Sequence, residues 1–310
     1  MRMTTRWTLL VLMGLLVAGC ASPTPLLPTA TVAPTRAPAP TVAPPTSTVA
    51  STPTRPAPIA TPTEAAPGVT ITILYDNNAY DERLETAWGF ACLVEGPEKI
   101  ILFDTGGDST TLLSNMRTLG IDLRSVDVVV ISHVHGDHVG GLAGFLAENH
   151  AVTVYLPQSF PESIKEATRE AGAELVEVHD AVEICQFVYS TGELGDWIKE
   201  QSLVIETARG LVVIAGCAHP GVVNIVRRAQ EVVGARLPRP LRTYLVLGGF
   251  HLGGASAAEI ATIVEDLQQL GVQKTAPCHC SGDVARRLFE EAYGEDFYPV
   301  GVGSRLEVRE

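Results

Sequence analysis

Apolar positions along the chain fall into three regimes. Residues 7–17 form one nearly unbroken apolar run behind Arg2 and Arg6. Residues 21–67 show neither a helical nor a strand period, only repeated Thr-Val-Ala-Pro units. From residue 68 onward, short β-branched runs alternate with longer stretches in which apolar residues recur at helical spacing. Strands are expected at 69–74, 90–95 and 100–103, the last two joined through the Gly96-Pro97-Glu98-Lys99 turn. A helix over 110–119 closes at Gly120. The run Val128-Val129-Val130-Ile131 reads as a buried strand, and a helical pattern opens over 142–146. Further strands are expected at 152–156, 175–178, 183–188, 202–206, 211–214, 244–247 and 305–308, with a short one ending at Pro277. Helices are expected at 161–171, 222–233, 257–270 and 284–293. The strands come in clusters that look antiparallel, and the pattern recurs in the second half. Two sheets packed face to face with helices outside, an α/β (α+β) arrangement, would bury these faces.

The first two regimes set the chain's organisation. The apolar run of residues 7–17 is too short for a mature membrane span. Val17-Ala18-Gly19-Cys20 resembles a bacterial lipobox. Residues 1–20 are therefore expected to be a lipoprotein signal peptide, with Cys20 carrying the lipid. The mature protein would sit in the cell envelope, anchored to the membrane on the extracytoplasmic side. Residues 21–67 are rich in Pro, Thr and Ala and cannot bury enough apolar surface to fold. They read as a disordered, semi-rigid linker. Residues 68–310 are the folded domain.

Composition narrows the partners. The formal net charge is −13. Nucleic-acid binding rests on phosphate neutralisation, so an acidic chain argues against it. No protein partner is evident; a small-molecule substrate and, through Cys20, the membrane are the partners expected. Apart from Cys20 there remain Cys92, Cys185, Cys217, Cys278 and Cys280, an odd number without zinc Cys₄ spacing. Cys92 reads as a small core residue. Cys278 and Cys280 flank His279; on an extended segment their thiols would face away from its imidazole.

The chemistry concentrates in Ser132-His133-Val134-His135-Gly136-Asp137-His138-Val139-Gly140-Gly141. Three imidazoles and a carboxylate fall within six positions, on the loop leaving the end of a strand, where α/β sheets place their sites. Imidazole and carboxylate suit zinc, iron and manganese. His133 and His135 alternate around Val134 and can point the same way; Asp137 and His138 follow the Gly136 bend. Three further strand ends carry histidine beside glycine or proline, at His219, His251 and His279. Asp104 ends the strand over 100–103 in the same manner. His150 and His179 lack such a context and read as surface residues.

His133-x-His135-x-Asp137-His138 resembles the motif of the metallo-β-lactamase superfamily. Leu102-Phe103-Asp104-Thr105-Gly106, Gly216-Cys217-Ala218-His219-Pro220-Gly221, Gly248-Gly249-Phe250-His251-Leu252 and Cys278-His279-Cys280-Ser281-Gly282 resemble one branch of it. That branch includes an archaeal dihydropterin-ribofuranosylaminobenzene phosphate synthase and bacterial metal-dependent hydrolases. The resemblance implies a four-layered αβ/βα sandwich and one or two divalent metals, zinc first, with iron or manganese as alternatives. It implies that His133, His135 and His219 hold one metal, that Asp137, His138 and His279 hold the other, and that Asp104 orients a ligand histidine. It also implies a bridging aspartate at the end of the strand before Gly249-Phe250-His251. None is present there, so His251 is either a ligand of one metal or an acid/base. Asp137 and His251 are the candidate catalytic residues. Asp76-Asn77-Asn78 and Trp88-Gly89-Phe90 resemble pocket-wall motifs of the branch, and Ser281-Gly282 at a helix start could hold an anion, so Asn77, Asn78, Phe90, Ser281 and Gly282 are expected around the substrate pocket.

The activity this implies is metal-dependent hydrolysis of a small ester, phosphoester or lactone outside the cytoplasm, through water made acidic by the metal. A transferase like the pterin synthase, or a non-catalytic metal-containing binding lipoprotein, are the alternatives. No Gly-x-Ser-x-Gly elbow suggests a serine hydrolase.

Overall fold

The computed structural model describes residues 68–96, 98–235 and 242–309. Cys20, the signal segment, the linker and Pro97 of the expected turn lie outside the described residues.

The first half opens with strands β1 (Val69–Tyr75), β2 (Ala91–Glu95) and β3 (Ile100–Phe103), then helix α1 (Ser109–Thr118). Strand β4 (Val128–Val130) leads into a single helical turn, α2 (Gly136–Val139), and then α3 (Leu142–Glu148). Strand β5 (Thr153–Pro157), α4 (Glu162–Glu170) and β6 (Glu174–Val178) follow. The second half runs β7 (Val182–Cys185), β8 (Val188–Ser190), β9 (Leu203–Thr207), β10 (Gly210–Ala215), α5 (Val222–Gly234), β11 (Thr243–Gly249), α6 (Ala257–Gln269), β12 (Lys274–Cys278) and α7 (Asp283–Tyr293). Strand β13 (Arg305–Val308) returns to the first sheet and pairs with β1.

One sheet has the order β13-β1-β2-β3-β4-β5-β6 and the other β12-β11-β10-β9-β8-β7. The expected antiparallel clusters are only part of the pattern. Strands β3 to β6 run parallel, as do β10, β11 and β12. Each parallel step is a strand–helix–strand crossover, which a strand-by-strand reading cannot orient. The expected single strand over 183–188 is instead the hairpin β7–β8. Its turn passes through Phe187 at φ 68, a left-handed conformation with no glycine to announce it.

Alternation decides the layers. Ile101 and Phe103 of β3, Val128 and Val130 of β4, Val212 and Ile214 of β10, and Leu245 and Leu247 of β11 meet in one core between the sheets. Their neighbours Leu102 and Val129 turn outward under α1 and α3. Val213 and Val246 turn outward under α5, α6 and α7. Both faces of each sheet are thus covered, which explains the continuous apolar runs. Layers of helix, sheet, sheet and helix result.

This topology places the carboxyl ends of β3, β4, β10, β11 and β12 along one edge. There the loops pack without side-chain spacers. Thr105 donates to the His138 carbonyl through both its backbone N–H and its hydroxyl, each at 2.8 Å. A Cβ on Gly141 would run into the Thr105 carbonyl.

Candidate metal centre

His133 and His135 leave β4 on extended backbone, while Asp137 and His138 sit on the α2 turn that His135 opens. Ser132 fixes the start of the loop: its N–H and hydroxyl donate to the two oxygens of Asp104, at 2.6 and 2.7 Å. His219 sits after β10, and His279 directly after β12.

Two donor sets form. His133 Nε2 lies 3.1 Å from His135 Nδ1, and His219 Nε2 lies 3.2 Å from the same Nδ1. Beside them, His279 Nε2 lies 3.3 Å from Asp137 Oδ2, and His138 Nε2 lies 3.8 Å from that oxygen. The six residues expected to hold metal are therefore brought together in the two groups anticipated.

The rings are aimed by their far nitrogens. His138 Nδ1 donates to Asp104 Oδ2 at 2.7 Å. His279 Nδ1 donates to Asn77 Oδ1 at 3.2 Å, and the His279 backbone N–H donates to Asp76 at 3.1 Å. Both rings then turn an unprotonated Nε2 inward. Asp104 is thus where the sequence put it, and Asn77 holds a ring instead of lining a pocket.

Electrostatics favour a cation. Burial, reinforced by the neighbouring imidazoles, drives the His133 pKa far down and takes His219 to about 4. Burial also opposes ionisation of Asp137, yet the hydrogen bond from His279 and the charges of His138 and His279 hold its pKa below the usual range. Burial disfavours charge on His138 as well, but Asp104, Asp137 and Glu200 outweigh it and raise its pKa. Uncharged His133 and His219 beside an ionised Asp137 leave lone pairs and negative charge for a divalent ion, whose binding would displace any proton held on the remaining rings. In donor type and spacing the residues fit.

The remaining expected positions fall as follows. His251, at φ 53, is exposed beside His219, with ring centroids 4.4 Å apart, and groups with Cys217 and Cys280 as possible ligands. Phe90 is fully buried between the sheets against Phe103, so it is a core residue and not a pocket wall. Trp88, two residues earlier, stands at the site instead: it is 60% exposed, with its ring 4.9 Å from that of His279. Asn78 bonds inward to Asp76 and Arg286. Ser281 is buried and accepts from the Phe250 N–H at 3.0 Å. Gly282 is the N-cap of α7, where no side chain caps the helix, and Asp283 lies in its first turn. His150 and His179 are exposed, as expected.

Two participants escaped the sequence reading, Cys217 and Glu200, and a third, Asp76, supports a ligand loop where its motif suggested a pocket wall. Cys217 points its thiol at His138 and His279, at 3.3 and 3.4 Å. Glu200, wholly buried, accepts from the backbone N–H groups of Cys217, Ala218 and His219 at 3.0, 2.8 and 2.8 Å. Asp76, also buried, holds the His279 backbone. The segment around His279 is a tight 3₁₀ turn and not extended; it sends Cys278 into the core between the sheets, and Cys280 Sγ accepts from the His251 N–H at 3.3 Å.

A family model described as the metallo-beta-lactamase superfamily matches residues 89–233. The 7,8-dihydropterin-6-methyl-4-(beta-D-ribofuranosyl)-aminobenzene-5'-phosphate synthase of Methanocaldococcus jannaschii is 28% identical over 284 residues, covering 76% of this chain and 95% of that protein. A ribonuclease Z of Limosilactobacillus fermentum is 31% identical over 153 residues, covering 44% of this chain and 46% of its own. The crystal structure of Tm1679, described as a metal-dependent hydrolase of the beta-lactamase superfamily, superposes with a TM-score of 0.61 at 29% identity, covering 78% of this chain and all of the other.

Proposed function

From a chain that has the metallo-β-lactamase superfamily fold and is homologous to the pterin-related synthase group, we infer a metal-dependent hydrolase of a small ester, phosphoester or lactone. The observation that carries this reading is the pair of adjacent donor sets, His133, His135 and His219 beside Asp137, His138 and His279, with their nearest donor atoms 3.1–3.8 Å apart.

When bound, divalent metals polarise a substrate oxygen and acidify water at neutral pH. The protein's own residues do the rest. Asp104 and Asn77 keep His138 and His279 in the tautomer that turns Nε2 inward. Asp137 stays ionised and can accept a hydrogen bond from an attacking water. His251, exposed beside His219, is placed to protonate a leaving group. Trp88 offers an exposed aromatic wall against His279 for the substrate's flat or apolar part.

A second reading is chemistry like that of the synthase, favoured by 28% identity across 95% of that relative. We also carry forward residues 1–20 as a lipoprotein signal, residues 21–67 as a spacer, and the domain from residue 68 as held outside the cytoplasm by a lipid on Cys20, on the strength of the sequence alone.

The test is turnover by the metal-loaded protein on a panel of p-nitrophenyl esters, phosphodiesters and lactones, with His135→Ala alongside. Hydrolysis abolished in the variant supports the reading. Activity on a dihydropterin and phosphoribosyl-aminobenzene pair, with none on esters, would install the second. Finding Cys20→Ser still membrane-bound would remove the anchor.

A further inference from the structure

Cys217 has no part in the chemistry described so far, yet its thiol occupies the middle of it. Its Sγ is within hydrogen-bond reach of both His138 Nε2 and His279 Nε2. Each of those rings already spends its Nδ1 proton, on Asp104 and on Asn77 respectively. Both Nε2 atoms therefore present lone pairs to the sulfur. A thiol has one proton and can serve only one of them. A cation shared by sulfur and both nitrogens satisfies all three.

Spacing agrees. Donors around a tetrahedral zinc, at about 2.0–2.3 Å from it, stand about 3.3–3.7 Å from one another. Cys217 Sγ stands 3.3 and 3.4 Å from the two nitrogens, and Asp137 Oδ2 stands 3.3 Å from His279 Nε2. Asp137, His138, Cys217 and His279 form one four-donor group whose ligand atoms all lie within 4.8 Å of one another. Cys217 also groups, by the same measure, with His133 and His219, and in a third set with His251 and Cys280. It is the side chain common to every such group among the described residues.

The end of β11 contributes no carboxylate. At the end of β11 a Cβ on Gly249 would collide with the Gly216 carbonyl and come within 2.7 Å of Cys280 Sγ and 3.1 Å of the His279 ring. No aspartate fits there. Strand β10 lies alongside in parallel register, with Gly249 N–H donating to Gly216 O at 3.1 Å. Cys217, the next residue on that neighbouring strand end, fills the centre. The Cys280 thiol faces the Cys217 carbonyl and accepts from His251 N–H, so it supports this loop from outside.

We propose that Cys217 is a metal ligand shared by the two donor sets, a thiolate bridge supplied by β10 in place of a carboxylate on β11. The inference rests on the metal-centre reading above and adds the sulfur. A sulfur donor also directs the choice of ion toward zinc or iron and away from manganese.

Cobalt(II) loaded into the full-length chain tests it, because a thiolate ligand gives a sulfur-to-cobalt charge-transfer band in the near ultraviolet. The band is expected in the wild type, absent in Cys217→Ser and retained in Cys280→Ser. Cobalt content in Cys217→Ser should fall from about two per chain to about one. Cys217→Asp should regain the second ion without the band, and circular dichroism confirms that each variant is folded; if Cys217→Ser is not, the wild type and Cys217→Asp decide. A wild type that binds two cobalt ions without the band overturns this inference alone, as does a band that survives in Cys217→Ser or vanishes in Cys280→Ser. A chain that binds no cobalt overturns the proposed function as well.

Discussion

Asp104 Oδ2 accepts a hydrogen bond from His138 Nδ1 at 2.7 Å, and neither side chain is exposed to solvent. The same carboxylate also takes the Ser132 N–H and hydroxyl, so it fixes both a ligand ring and the start of the loop that bears it. Asp104→Asn would turn an amide N–H₂ toward at least one of these donors. Metal affinity should fall about 10–100-fold. Competition against a chromogenic chelator measures it; an unchanged affinity would remove Asp104 from its orienting role.

Among the described residues, Glu200 accepts from three consecutive backbone N–H groups, at Cys217, Ala218 and His219. Glu200→Ala strands them in the interior. The expected cost is about 3 kcal/mol or more, and at about 2–4 °C per kcal/mol a drop in Tm of about 6–12 °C. Thermal unfolding of the metal-free variant reads this directly. Metal affinity should fall as well, since His219 rides on the same loop.

His251 is exposed beside His219 and is no member of the two main donor sets, although it comes within reach of Cys217 and Cys280. His251→Ala should therefore leave metal content unchanged while lowering kcat about 10²–10⁴-fold on substrates with poor leaving groups. Activated esters, which need no proton, should be affected least. Elemental analysis together with a leaving-group series checks both parts; loss of one metal would make His251 a ligand.

Gly249→Asp supplies the carboxylate that the family resemblance anticipates, at a position without space for it. The variant should lose about 1–3 kcal/mol of stability from overpacking, with no gain in metal affinity. Calorimetric titration and a thermal melt settle the outcome; tighter binding would contradict the account of the β11 end.

Chelation should lower Tm. An ion that binds only the folded chain, present at about a thousand times its dissociation constant, contributes about 4 kcal/mol. That corresponds to about 8–16 °C. Zinc added back should restore the melt; an unshifted Tm would mean that the donor sets hold no ion.

Much of the centre was legible because its pattern is local. His133, His135, Asp137 and His138 are contiguous, and His219 and His279 follow apolar runs beside glycine or proline. What escaped depends on backbone turns that the residue types do not announce. Four of the five non-glycine residues with positive φ among the described residues, Asp104, Ala218, His251 and His279, lie at this site. Ala218 at φ 56 follows Cys217 in the turn between β10 and His219, yet alanine rarely marks such a conformation. Glu200 reaches its partners from 17 to 19 positions away. Phe90 misled because an apolar residue beside an exposed aromatic looks like a wall until the sheet's alternation is known. The sheets' mixed direction was hidden for the same reason: strand pattern carries face but not polarity.

The donor sets draw on both sheets. His133, His135, Asp137 and His138 follow β4 of one, while Cys217, His219 and His279 follow β10 and β12 of the other. A bound ion is therefore a further cross-tie over a seam closed by apolar packing at the inner faces and, near the site, by hydrogen bonds from Gln201 to Ser132 and Ile131 and from His279 to Asp76. Amide hydrogen exchange should register this: withdrawing the ion should quicken exchange at the site-facing ends of β4, β10 and β12 together, while α1 and α6 on the outer layers keep their protection. The centre that performs the chemistry would then also set how firmly the two halves of the domain are clasped.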